Sequence, residues 1–68
     1  MKENKSYICD LLSDVLKETR NLWDLEELEF DQETEIVTAY FINGFTKKAN
    51  VASDSGTAMI IDIIRQLV

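Results

Sequence analysis

The dipeptide Asn43-Gly44 is the feature that most limits how this chain folds, because it stands directly between two apolar residues. Asn-Gly in that setting is the strongest short-range signal for a two-residue type I′ hairpin turn, whose two residues both need positive φ. Residues 35–42 before the dipeptide are rich in β-branched and aromatic side chains, and residues 45–52 after it return as a partner strand. The sequence therefore predicts an antiparallel strand pair.

A third strand is expected before this hairpin, because Leu28 and Phe30 alternate with acidic residues. Residues 32–34 would form a polar three-residue loop between the first two strands. The expected cross-strand pairs are Phe30 with Ile36, Leu28 with Thr38, Ile42 with Phe45, Tyr40 with Lys47, Thr38 with Ala49, and Ile36 with Val51.

Register decides which side chains face the core, because successive strand residues point to opposite faces. The predicted core face collects Leu28, Phe30, Ile36, Thr38, Tyr40, Ile42, Phe45, Ala49 and Val51. The opposite face would carry the acidic residues Glu27, Glu29, Asp31 and Glu35, an apolar row of Val37, Ala39 and Phe41, and then Thr46, Lys48 and Asn50.

Two helices are expected to flank the strands. The first would begin at a cap on Asn4 or Ser6, end near Asn21, and present an apolar face of Ile8, Leu11, Leu12, Val15, Leu16, Thr19, Leu22 and Trp23. The second would follow the capping cluster at residues 53–56, with a core face of Ala58, Ile60, Ile61, Ile64, Leu67 and Val68 that Met59 and Ile63 widen.

These elements predict one α+β domain over residues 1–68 with the order α-β-β-β-α. The simplest arrangement is a three-stranded antiparallel meander with both helices packed on one face. A 68-residue chain buries only roughly 60% of its surface on folding, so we expect it to need close packing or a partner for stability.

The charge of the chain is concentrated in one segment. The net charge is -6, and residues 24–35 contain seven carboxylates and no basic residue. Affinity for phosphate backbones comes from Lys and Arg, so we expect no direct binding to nucleic acid and a protein partner with a basic surface instead.

The inventory of reactive groups predicts neither an enzyme nor a metal site. The chain has no histidine and a single cysteine, and we expect Cys9 to be a buried structural thiol. The acidic segment lacks the spacing of an EF-hand calcium loop, and no cofactor is expected. A polar N-terminus, the single cysteine and the lack of a long apolar run predict a cytoplasmic protein without a membrane span.

The order of elements resembles the double-stranded RNA-binding domain, and Thr46-Lys47-Lys48-Ala49 is similar to that family's lysine-rich stretch. The resemblance implies that these lysines contact RNA phosphates. The sequence departs from the family at the last helix, because the two lysines belong to a strand and Asp54 replaces the basic residues at the helix start. RNA binding of this type is one alternative function.

The acidic block allows two interpretations. It is either a solvated sheet edge that prevents aggregation or an anionic surface for a basic cleft. Alternate strand carboxylates lie about 7 Å apart, close to the spacing of phosphates along a nucleic acid strand. The predicted partner-binding residues are Glu27, Glu29, Asp31, Glu35, Val37 and Phe41. Met59 and Ile63 are the predicted residues for self-association.

The function we expect is a non-catalytic protein–protein interaction module, such as an acidic inhibitor or accessory protein. In size and charge the chain resembles the small acidic orphan proteins of bacterial phages and mobile elements, including those that block host defence nucleases. A purely structural homodimer is the remaining alternative.

Overall fold

A computed structural model describes residues 4–68 and shows a small α+β fold with the predicted order of elements. Helix α1 spans Lys5–Lys17 and helix α2 spans Gly56–Leu67, with a short 3-10 turn at Arg20–Leu22. The strands are β1 (Leu25–Asp31), β2 (Ile36–Phe41) and β3 (Thr46–Asn50). They form an antiparallel sheet in the order β1-β2-β3.

The hairpin between β2 and β3 has a three-residue loop, so the two-residue type I′ turn predicted at Asn43-Gly44 is wrong. The Phe41 N–H donates to the Phe45 carbonyl at 2.9 Å, and the Gly44 N–H donates to the Phe41 carbonyl at 2.9 Å. Gly44 has a φ of 87°, whereas Asn43 is not among the residues with positive φ. A three-residue loop closed by a left-handed glycine is the next most common hairpin geometry.

The turn between β1 and β2 is also one residue longer than predicted. Asp31 pairs with Ile36, which leaves four residues, 32–35, in the turn. The Glu35 N–H donates to the Asp31 carbonyl at 2.7 Å, and Glu35 has a φ of 55°. Asp31 Oδ1 accepts the backbone N–H groups of Glu33 and Thr34 at 2.8 and 3.3 Å. This side-chain turn stabilises the longer loop.

These two shifts turn β2 over relative to the prediction, because a one-residue slip moves every side chain of a strand to the other face. Val37, Ala39 and Phe41 are buried in the core. Tyr40, Ile42 and Phe45, which we expected on the core face, are exposed, and Ile36 and Thr38 are half-buried. The two shifts cancel for the outer strands, where Leu28, Ala49 and Val51 are buried as predicted.

A bulge in β1 brings a further leucine into the core. Leu25 pairs with Phe41 and Glu27 pairs with Tyr40, so Glu26 is an extra residue in β1. Such an insertion re-aims the side chains on either side of it. Leu25 and Leu28 are consequently both buried, although they are three residues apart.

The buried face of helix α1 is rotated from the predicted one and shares only part of it. Asn4 caps it by accepting the Tyr7 N–H at 3.0 Å, and the helix ends at Lys17 rather than near Asn21. Its buried residues are Cys9, Ser13 and Leu16, while Ile8 and Leu12 are partly buried. Leu11, Val15, Thr19 and Trp23, which we placed on the core face, are exposed.

Helix α2 is capped by Ser55, whose hydroxyl accepts the Ala58 N–H at 3.3 Å. Met59, Ile63 and Leu67 form its buried face, with exposed fractions of 0%, 1% and 7%. Met59 and Ile63 are therefore core residues and offer no surface for the predicted self-association. Ile61, Ile64 and Val68, which we expected in the core, are exposed. Within residues 4–68, neither helix has the length and apolar character needed to cross a membrane.

Candidate interaction surface

The sheet face turned away from the core is the surface on which the predicted carboxylates collect. We call this surface the open face. The register places its residues in three cross-strand rows, which are Glu27–Tyr40–Thr46, Glu29–Thr38–Lys48 and Asp31–Ile36–Asn50. It thus combines an acidic column on β1, a mixed column on β2 and a polar column on β3.

The acidic column is the most strongly charged part of the open face. Glu27, Glu29 and Asp31 are all exposed and occupy alternate positions of β1. Alternate side chains of a strand lie on one face about 7 Å apart. Neither β1 nor β2 contains a basic residue, and Lys48 on β3 is the one base of the three rows. The structure therefore brings together three of the six residues predicted for partner binding.

Glu35 lies outside the open face and makes an internal ion pair instead. The Lys5 ammonium donates to Glu35 Oε1 at 2.8 Å and to the Val51 carbonyl at 2.8 Å. The Val51 N–H also donates to the Glu35 carbonyl at 2.9 Å. Glu35 consequently links α1, the β1–β2 turn and the end of β3, and its assignment to a row of free carboxylates is wrong.

Val37 and Phe41 are not beside the carboxylates, because the turned-over β2 places them in the core. Their exposed fractions are 2% and 7%. The exposed apolar row predicted on this face therefore does not exist. Tyr40 takes its place, since it is directly opposite Glu27 and 36% exposed. The sequence did not identify Tyr40 as a surface residue, because only the correct register shows that it lies on the face away from the core.

Helix α1 covers the outer edge of β1, and β1 is the strand against which this helix mainly packs. The Leu28 N–H donates to the buried Ser13 hydroxyl at 3.2 Å. Ser13 thus satisfies a backbone donor that a free edge strand would expose. The carboxylates of β1 therefore do not border a fully open edge.

Cys9 lies in the core below the open face, and its surroundings make the thiol unreactive. It is fully buried in the core cluster. Burial raises the pKa of its thiol to about 11, and the negative charges of Asp10, Glu27 and Glu29 raise it further toward that value. A thiol with so high a pKa is a poor nucleophile at neutral pH.

A second group of carboxyls lies at the start of α2. Asp54 makes a side-chain hydrogen bond with Asp62, and this bond, then burial and then the charge of Asp62 raise the Asp54 pKa, while Lys5 lowers it. Asp54 Oδ2 is buried and accepts no hydrogen bond. The two carboxyls therefore interact, and the raised pKa favours the protonated form of Asp54. Among the residues that the structure describes, no group of three or more potential ligands could hold a metal ion.

Comparisons with known proteins give no relative from which a function could be transferred. No protein-family model, curated protein or solved structure matches the chain.

Proposed function

We propose that this chain is a non-catalytic protein–protein interaction module whose open face binds a basic surface of another protein. The observation that carries the proposal is the column of Glu27, Glu29 and Asp31, exposed on one face of the sheet. Neighbouring β2 contains no base that would neutralise it. An ordered row of like charges attracts a surface of opposite charge and steers its approach.

The main competing explanation, protection of a sheet edge, is weakened by the packing of α1. Acidic edge strands commonly prevent edge-to-edge aggregation. At Leu28, however, α1 already covers the β1 edge and Ser13 occupies its N–H. A role of the carboxylates in binding is consistent with this arrangement, because it does not require a free edge.

The partner we propose is a nucleic-acid-binding protein, and the chain would act as its inhibitor or accessory subunit. Surfaces that bind nucleic acid are rich in Lys and Arg. Tyr40 lies opposite Glu27, so a partner arginine could stack on the ring while it pairs with the carboxylate. The proposal includes the class of acidic inhibitors from phages and mobile elements that the chain resembles in size and charge.

The test is competition with DNA for a basic protein. The chain is titrated into a complex of fluorescent duplex DNA with a sequence-independent basic DNA-binding protein, and anisotropy reports the DNA released. We expect wild-type protein to release the DNA and added salt to weaken the effect. The double variant Glu27→Lys/Glu29→Lys should compete about tenfold less well, as expected when two exposed charge pairs become repulsive.

The matched control is Glu26→Lys/Glu33→Lys, which changes the net charge equally at exposed residues outside the three rows of the open face. It should retain competition within about threefold. If both variants lose the same amount, general charge and not the open face causes the effect. If the wild type releases no DNA at low salt, the proposed partner class is wrong.

A further inference from the structure

The outward side of α1 carries an apolar stripe that the core does not use. Tyr7, Leu11 and Val15 are 60%, 48% and 61% exposed. They follow one another at intervals of four residues, so they lie along one strip of the helix. An exposed apolar strip of this kind on a small protein is more typical of an interaction site than of solvated surface.

A row of carboxylates runs beside this stripe. Asp10, Asp14 and Glu18 are all exposed, and each follows a stripe residue by three positions, so that each borders the stripe. None of the three makes an ion pair or a side-chain hydrogen bond with any residue in 4–68. We call the stripe and this row together the α1 face. Its two rows leave both apolar surface and negative charge without a partner in the part of the chain that the structure describes.

We infer that the α1 face is a docking surface for an amphipathic basic helix of a partner protein. An apolar row on such a helix would cover Tyr7, Leu11 and Val15. A parallel row of Lys or Arg would meet Asp10, Asp14 and Glu18. Helix-in-groove and helix-on-helix recognition use this same spacing of three and four residues. The inference concerns a different surface from the open face and does not depend on the function proposed for it.

Charge complementarity selects this occupant over two others. In a dimer with the two α1 helices antiparallel about a two-fold axis, both copies would contribute the same patch to the interface. The carboxylate row of one copy would then face the carboxylate row of the other. An anionic membrane surface would repel the same row. A basic amphipathic helix satisfies both rows at once.

The experiment uses the whole chain and a synthetic peptide of about 18 residues, roughly five helical turns, with leucine and lysine in parallel rows. A peptide of the same composition in scrambled order is the control. Isothermal titration should show binding of the amphipathic peptide at least about tenfold tighter than that of the scrambled one. Leu11→Ser/Val15→Ser and Asp10→Lys/Asp14→Lys should each lower this affinity about tenfold.

Two controls separate the α1 face from other causes. Leu11 and Val15 are exposed, so their replacement should leave the denaturation midpoint nearly unchanged, which distinguishes lost binding from lost folding. Glu27→Lys/Glu29→Lys should keep the affinity for the peptide, because those residues belong to the open face. This variant also lets the inference succeed or fail independently of the proposed function.

Three results would overturn the inference. Equal affinity for the scrambled peptide would show general charge attraction. An equal loss of peptide affinity in Glu27→Lys/Glu29→Lys would show that the peptide binds the open face. A wild-type dimer in light scattering that Leu11→Ser/Val15→Ser dissolves would identify a second copy as the occupant.

Discussion

Lys5 Nζ lies 2.8 Å from Glu35 Oε1 and joins the first turn of α1 to the turn between β1 and β2. The same ammonium donates to the Val51 carbonyl, so one side chain contacts three parts of the fold. The Lys5 side chain is only 16% exposed, which limits screening by solvent. This contact is therefore a tertiary link within the molecule.

Glu35→Gln is expected to lower the free energy of unfolding by about 0.5–1 kcal/mol at neutral pH, because it removes the charge of a partly exposed ion pair. Lys5→Met should cost more, since it also leaves the Val51 carbonyl without this donor. Urea denaturation measures both. Glu33→Gln is the control, because Glu33 is exposed in the same turn. An equal effect of Glu33→Gln would mean that the ion pair contributes nothing.

The register of β2 is tested by Phe41→Ala and Phe45→Ala. Phe41 is buried and Phe45 is exposed, so the first change should cost about 3–5 kcal/mol and the second less than about 1 kcal/mol. A domain of this size has a stability of about 3–5 kcal/mol, so Phe41→Ala should be largely unfolded in circular dichroism. The two-residue hairpin predicted from the sequence would make Phe45→Ala the more destabilising change. A larger loss of stability in Phe45→Ala than in Phe41→Ala would therefore support that hairpin.

The Asp54–Asp62 pair predicts a specific dependence of stability on pH. The pKa of Asp54 is raised in the fold above its ordinary value of 3.8, so the native state binds a proton at this carboxyl more tightly than the unfolded state does. Stability from this group is therefore present at pH values below 3.8 and is lost as the pH rises through the folded pKa.

Asp62→Asn keeps a hydrogen-bonding group beside Asp54 but removes the second charge. We expect it to raise the melting temperature at pH 7 and to have less effect below pH 3.8, where Asp54 keeps its proton in both the folded and the unfolded state. Thermal unfolding as a function of pH measures the difference. Asp14→Asn, an exposed change on α1, serves as the control for net charge. A stabilisation of Asp62→Asn that is equal at pH 3 and pH 7 would contradict the shared proton.

Cys9 should report on global unfolding. It is fully buried and its thiol pKa is raised to about 11, so a maleimide reagent at pH 7.5 should modify it only when the core opens. Mass spectrometry should show slow labelling in buffer and rapid labelling in denaturant. Labelling in buffer as fast as that of a free cysteine peptide would show that the thiol is accessible in the native state.

Much of the fold follows from local sequence patterns. The three- and four-residue spacing of apolar positions predicted both helices, and the capping residue Asn4 was among those expected. The alternation around Leu28 and Phe30 fixed the exposed column of Glu27, Glu29 and Asp31. These features depend on neighbours within a few residues, which is why the sequence alone determined them.

The face of α1 was decided by packing. Counting large apolar residues favoured Leu11 and Val15, yet the helix turns Cys9 and Ser13 toward the sheet. Ser13 then reaches the Leu28 N–H at the β1 edge. That hydrogen bond joins residues fifteen positions apart, so no local pattern could indicate it. Because α1 turns Cys9 and Ser13 toward the sheet, Leu11 and Val15 lie on the outward side of the helix, and only the structure identifies the α1 face.

The orientation of β2 was also decided by tertiary structure. Both faces of the strand carry apolar side chains, and Asn43-Gly44 is compatible with hairpin loops of two or of three residues. One face offers Val37, Ala39 and Phe41, which have no polar side-chain atoms, whereas the other includes the hydroxyls of Thr38 and Tyr40. Burial of the first set leaves no polar group without a partner. The sequence thus determined the acidic column, and the core determined which β2 side chains stand beside it.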